Sequence, residues 1–213
     1  MFADINGTRL YYTDTGGEIP LLGIHGGMGI DGGTLRVEPV LALAAYGVRV
    51  IIPDQRGHGQ SLSDDVNAFT HSRWIEDLRE LAAGLNLQKF ALLGHSYGGF
   101  LALEFAIRWP ELLTHLVLIG TSAGPRKVHA TLHSSDGALK AHFRERWPDF
   151  FAGPDKHWAL FERLHFSAVP YNTAFQRQLP SYDVRARVAA ARVPTMLVVG
   201  SGDWYVPDME WLA

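Results

Sequence analysis

The sequence predicts an α/β domain: a mostly parallel, doubly wound sheet, with a helical segment inserted before the last recognisable strand. Three observations carry this reading. Short apolar runs alternate with helix-like stretches through the first 120 residues, the signature of strands joined by crossover helices. Those runs are continuously apolar rather than alternating, as expected of strands covered on both faces. The strand pattern then stops at Thr121 and returns near residue 190 as Val193-Pro194-Thr195-Met196-Leu197-Val198-Val199.

Residues 2–14 predict a β-hairpin, because Asn6-Gly7 sits between two runs of strand formers. Residues 20–24 predict a short buried strand that runs into His25-Gly26-Gly27-Met28-Gly29. A helix is predicted over 34–46, with Gly47 as its stop. Residues 48–53 predict a strand, which empties into the polar loop Asp54-Gln55-Arg56-Gly57-His58-Gly59-Gln60-Ser61. Over 70–85, Trp74, Leu78, Leu81 and Leu85 recur at three- and four-residue intervals, which predicts an amphipathic helix capped by Thr70 or Ser72. Residues 90–93 predict a strand, and a helix follows from Gly99 to near Trp109, where Pro110 disfavours continuation. Residues 116–120 predict another buried strand. Within 121–190, helices are predicted at 137–147, 155–166 and 173–178, separated by Pro148, Pro154, Pro170 and Pro180. Phe143, Trp147, Phe150, Phe151, Trp158 and Phe161 supply packing for such a segment or an aromatic pocket.

Composition bounds the function. The chain has 213 residues, 47% hydrophobic and 19% charged, with net charge −3 and no cysteine. No basic field invites nucleic acid, no run is long and apolar enough to span a membrane, and thiol chemistry is excluded. The amino terminus lacks signal-peptide features, so a cytoplasmic location is expected. No metal-ligand spacing or phosphate-binding loop is present, and no cofactor is expected.

The chemistry concentrates in Gly94-His95-Ser96-Tyr97-Gly98. A predicted strand precedes this G-x-S-x-G and a predicted helix follows it. So tight a turn exposes the serine hydroxyl at a strand end and aims a helix amino terminus at the same place. A negative tetrahedral intermediate is stabilised by such donors.

Four landmarks, His25-Gly26-Gly27, Asp54 to Ser61, Gly94 to Gly99 and Gly200-Ser201-Gly202-Asp203, occur in the order found in the α/β-hydrolase superfamily. The chain resembles that family over nearly its whole length, and its wording is most similar to the proline iminopeptidase and esterase-like branch. The resemblance implies a core over 1–120, a helical cap over 121–190, and the penultimate strand with its acid loop over 191–213. It implies Ser96 as nucleophile, Asp203 as the acid that orients a base, and the backbone N–H groups of Gly27 and Tyr97 as oxyanion donors. The expected substrate is an ester, amide or lactone of a small molecule or short peptide. Glu145 and Glu162 are candidates for a substrate amine, though helix-surface residues of that type are more often solvated.

The family's base histidine lies downstream of the acid, and none of the ten histidines here does. The chain therefore reads as carboxyl-terminally incomplete, without the last strand, the last helix and the base, the other explanation being a partner chain that supplies them. The expectations are a crippled enzyme and an unprotected sheet edge prone to self-association. A non-catalytic protein of the same fold, binding a small ligand between core and cap, is the alternative.

Overall fold

A computed structural model describes residues 1–125, 131–151 and 157–213. Asn6 and Gly7, both at positive φ, reverse the chain between β1 (Phe2–Ile5) and β2 (Thr8–Asp14), as expected for a two-residue hairpin. The other strands are β3 (Ile19–Ile24), β4 (Val48–Pro53), β5 (Phe90–His95), β6 (Leu113–Ile119) and β7 (Thr195–Val198). All seven form one sheet in the order β1-β2-β4-β3-β5-β6-β7. β2 runs antiparallel to β1 and β4, and every pairing from β4 through β7 is parallel. The α/β class and the mostly parallel sheet are therefore those the sequence predicts.

The helices follow local chemistry. The chain over 34–46 is not one helix. Val37 is extended, α1 (Glu38–Leu41) starts after it with Pro39 in its first turn, and a 3-10 segment (Ala42–Tyr46) ends at the left-handed Gly47. Proline is tolerated only at a helix start, so it breaks the predicted element in two. α2 (His71–Gly84) is capped by Thr70, whose hydroxyl accepts from Arg73 N at 3.1 Å. α3 (Tyr97–Arg108) ends before Pro110. In the inserted region, α4 (Asp136–Arg146) matches its prediction closely. Of the helix expected over 155–166, only α5 (Trp158–Phe161) forms, and residues 155 and 156 lie outside the described residues. α6 (Ala168–Thr173) begins earlier than predicted because Pro170 sits in its first turn, and a wider π turn continues it through Gln178. α7 (Val206–Leu212), with Pro207 in its first turn, follows Asp203. The sequence signalled no element there.

Three apolar clusters result. The largest packs α2 and α3 on one face of the sheet, through Trp74, Leu78 and Leu81 from α2 and Phe100, Leu101 and Phe105 from α3. On the other face, Leu21, Val50, Ile52 and Leu93 meet Leu35 and the helical turns around Val40. The third lies in the inserted region around Trp147 and Phe161, and takes in Ile30 from the loop after β3. The outer edge of β7 pairs with no strand among the described residues, and Met196 there is 61% exposed. No helix among the described residues is long and apolar enough to cross a membrane.

Candidate active site

The sheet order fixes where a site can form. The chain leaves β3 for β4 on one side and later enters β5 on the other, so loops from the carboxyl ends of β3 and β5 diverge and leave a crevice. The register sets Ile24 opposite Gly94. The His25-Gly26-Gly27 loop and Ser96 are therefore neighbours.

β5 ends at His95 and α3 starts at Tyr97, so one residue makes the whole turn. That residue is Ser96, at φ 53° and ψ −119°. Side chains rarely adopt this conformation, which costs about 1–3 kcal/mol unless the surroundings enforce it. Here they do. Ser96 N donates to Ile119 O at 2.8 Å. Ser96 O accepts from Thr121 Oγ1 at 2.8 Å and from Gly99 N at 2.9 Å. Small residues allow the turn: a Cβ on Gly98 would collide with the carbonyl oxygens of Ile24 and His25. A Cβ on Gly26 would lie 2.8 Å from both Ser96 Cβ and His95 Nδ1, so the glycine loop rests directly against the serine. Ser96 is half-buried, and among the described residues no side chain hydrogen bonds its hydroxyl.

Two backbone N–H groups share this end of the sheet. Tyr97 opens α3, where a helix leaves its first amides without internal acceptors. Gly27 N donates to no acceptor among the described residues, while Gly27 O closes a turn onto Ile30 N at 2.5 Å.

Two buried histidines brace this loop. His25 Nε2 accepts from Gln55 N at 3.0 Å, which leaves Nδ1–H to donate to Gly26 O at 3.1 Å. His58 Nε2 accepts from Gly29 N at 3.1 Å, and its Nδ1–H donates to Arg56 O at 3.1 Å. Each role needs a neutral ring. Burial, with the neighbouring His58 adding to it, pushes His25 down to about 3, and burial likewise lowers His58.

Asp203 lies in the turn after β7, where its Oδ1 accepts from Tyr205 N at 2.8 Å. Its Oδ2 reaches the corner at Gly120, 3.0 Å from where a Cβ would sit. Gly120 follows Ile119, whose carbonyl holds Ser96 N. Burial lowers the His95 pKa and the Asp203 charge opposes that shift, so the carboxylate also faces the ring beside Ser96. The structure thus gathers Ser96, Tyr97, Gly27 and Asp203 at one end of the sheet.

Other histidines have work elsewhere. His71 Nδ1 meets Glu104 Oε1 at 2.6 Å between α2 and α3. His115 is exposed on β6. His133 and His142 lie ring to ring at 4.8 Å, and His157 stacks on Phe151 at 4.3 Å. His165 Nδ1 pairs with Asp31 Oδ2 at 2.8 Å. His95 is part-exposed, but its Nδ1 is sealed without a partner. His129 lies outside the described residues.

Glu162 is exposed and paired with Arg144 at 2.5 Å and Lys140 at 3.5 Å, and Glu145 is exposed. Both are surface residues. Of the six aromatic candidates, Trp147 and Phe161 are buried in the inserted region's own core, with Phe143, Phe151 and Trp158 packed on it. Phe150 meets Trp204, beyond the inserted region, at 5.3 Å. Sequence reasoning missed Thr121 as a support of the turn. Its one signal is a hydroxyl just past a strand end.

With this geometry in view, the chain matches the family model described as the alpha/beta hydrolase fold over residues 19–201. It is 26% identical to the proline iminopeptidase PfmaB of Pestalotiopsis fici, across 97% of this chain and 83% of that protein. It is also 26% identical to a proline iminopeptidase of Lactobacillus helveticus, across 88% of this chain and 75% of that one. Among solved structures, the enol-lactonase from Burkholderia xenovorans LB400 superposes with a TM-score of 0.84 at 21% identity, covering 100% of this chain and 86% of its own. A sheet of this order, with a one-residue turn between its central strand and helix, and a family match across most of the chain identify the protein as a member of the alpha/beta hydrolase family.

Proposed function

We propose that the protein is a serine hydrolase that acts on an ester, amide or lactone of a small molecule or short peptide through an acyl-enzyme at Ser96. The observation that carries this is the strained Ser96 between β5 and α3, with Tyr97 opening α3 and the Gly26-Gly27 loop resting against it. In the reaction, Ser96 Oγ attacks the carbonyl carbon and a base takes the hydroxyl proton. Negative charge develops on the carbonyl oxygen and is stabilised by the two amides. Collapse expels the alcohol or amine, which takes up the proton, and water then releases the acid from Ser96. Asp203 orients the base and stabilises its charged form. The names of the iminopeptidase and lactonase relatives support hydrolysis as the chemistry.

The base is the weak point of the constellation. Nine histidines are described, and none hydrogen bonds Ser96. In a worked serine protease, loss of the histidine costs about a million-fold in turnover, so this chain alone is expected to react slowly. The same observation favours a second reading, a ligand-binding protein that keeps the fold without turnover.

Fluorophosphonate labelling read by peptide mass spectrometry tests the proposal. Slow modification of Ser96 is expected, abolished in Ser96→Ala and accelerated by added imidazole. An adduct on another residue, or none after prolonged exposure with imidazole, would overturn the nucleophile. Rapid labelling without imidazole would show that a base is in place. p-Nitrophenyl acetate and a prolyl anilide then separate esterase from iminopeptidase activity.

A further inference from the structure

The loop that carries Gly27 is built to be soft. It contains Gly26, Gly27 and Gly29 in four positions, and a donor aimed at a developing charge must be held in place beforehand. From the sheet side, two side-chain hydrogen bonds hold it: His25 Nδ1–H donates to Gly26 O, and Gly29 N donates to His58 Nε2. Further restraints on the stretch after Gly27 come from the inserted region. Ser167 N donates to Gly29 O at 2.7 Å, and Asp31 N donates to His165 O at 3.2 Å. Between these two bonds, Ile30 and Phe166 face each other as an antiparallel pair. Residues 29–31 and 165–167 therefore form a miniature two-stranded ladder across the boundary between sheet and insertion.

Side chains reinforce the ladder at its Asp31 end and at its centre. His165 Nδ1 meets Asp31 Oδ2 at 2.8 Å, while Asp31 Oδ1 accepts from Gly33 N at 3.0 Å. The Ile30 side chain is buried among Leu139, Phe161 and Phe166 in the inserted region's core. It also lies directly against Gly27: a Cβ there would stand 2.8 Å from Ile30 Cδ1. Any shift of the insertion is thus passed through Ile30 to Gly27.

We propose that residues 165–167 clamp the loop carrying Gly27, with Asp31, His165 and Ile30 as positioning residues for the Gly27 amide. The claim rests on the reading of Gly27 as an oxyanion donor, and it makes the insertion a structural part of the donor site as well as its cover. A ligand that draws the insertion down would tighten the donor, and one that props it open would loosen it.

His165 offers a clean test because its side chain is 66% exposed, so its removal leaves the core intact. Hydrogen exchange by mass spectrometry on peptides spanning residues 27–31 reads the clamp without any need for turnover. His165→Ala is expected to speed exchange there by about three- to fivefold, the effect of losing one partly exposed side-chain contact to a carboxylate. His165→Asn sets an amide donor near the position of Nδ1 and is expected to restore protection, and α2 amides serve as the unchanged reference. Unaltered exchange at 27–31 in His165→Ala, or equal acceleration in both variants, would overturn the clamp. Fluorophosphonate labelling is read in parallel. A wild-type chain that never labels refutes the hydrolase reading and leaves the exchange result to stand or fall separately.

Discussion

Gly98→Ala is the substitution that most directly probes why the Ser96 turn can exist. Gly98 is the second residue of α3, and its Cα faces the carboxyl end of β3. An added Cβ would overlap Ile24 O and come within 2.6 Å of His25 O and 2.7 Å of the Ile24 carbonyl carbon. All three are backbone atoms of a central strand and its exit loop, so none yields by changing rotamer. Overpacking of this kind costs about 1–3 kcal/mol, and rigid neighbours place it at the upper end. Alanine returns at most about 1 kcal/mol through better helix propensity, which leaves a net loss of about 2 kcal/mol. Gly84→Ala is the control. It lies in the last turn of α2, where a Cβ would meet nothing within 4 Å, so only the propensity gain applies. Thermal and urea unfolding followed by circular dichroism should show Gly98→Ala melting about 4–8 °C lower and Gly84→Ala unchanged or slightly higher. A Gly98→Ala midpoint equal to wild type would refute the idea that close approach of α3 to β3 creates the turn.

Three further outcomes are expected. His25, His58 and His95 have pKa values lowered by burial, so each takes up its proton less readily in the folded chain than in the unfolded chain, which protonates below about pH 6.5. Stability should therefore fall as pH drops from 6.5, for His25 down to about 3, each group removing up to about 1.4 kcal/mol per pH unit; a urea midpoint that stays flat between pH 7.5 and 5 would contradict this. Arg56 and Asp77 form a buried pair with two contacts of 2.7 Å that also ties in Asn6 of the hairpin. Arg56→Met is expected to cost about 3–5 kcal/mol and the double variant Arg56→Met, Asp77→Leu much less, because the penalty is the orphaned carboxylate; a double-mutant cycle in urea with no coupling would refute it. The outer edge of β7, which pairs with no strand among the described residues and carries exposed Met196, is expected to drive concentration-dependent self-association; light scattering that gives a constant monomer mass as concentration rises would count against this.

The local grammar of the fold was legible in the chain. Asn6-Gly7 dictated a hairpin, continuous apolar runs dictated buried parallel strands, and Thr70 with its heptad-like leucines dictated α2. The crowded glycines around Ser96 specified a turn that only small neighbours permit. These features depend on residues close in sequence, so composition and spacing suffice to determine them. Helix breaks at Val37 and Pro170 were harder, because proline can start a helix as readily as stop one. α7 carried no signal, since seven residues with Pro207 in the first turn gain their helicity by docking Met209 against the core.

What the tertiary structure alone decided is which distant groups meet. Asp203 reaches the Gly120 corner, 83 positions away (203 − 120), because β7 lies beside β6; His165 meets Asp31 across 134 residues. It also showed that the buried histidines near Ser96 are fixed as neutral braces, with both ring nitrogens of His25 and His58 already engaged. Sequence determines which short segments become strand, turn or helix through steric and hydrogen-bonding preferences along the chain. Partners of a buried polar atom are chosen by packing, because only the folded sheet removes water and leaves a single neighbour within reach.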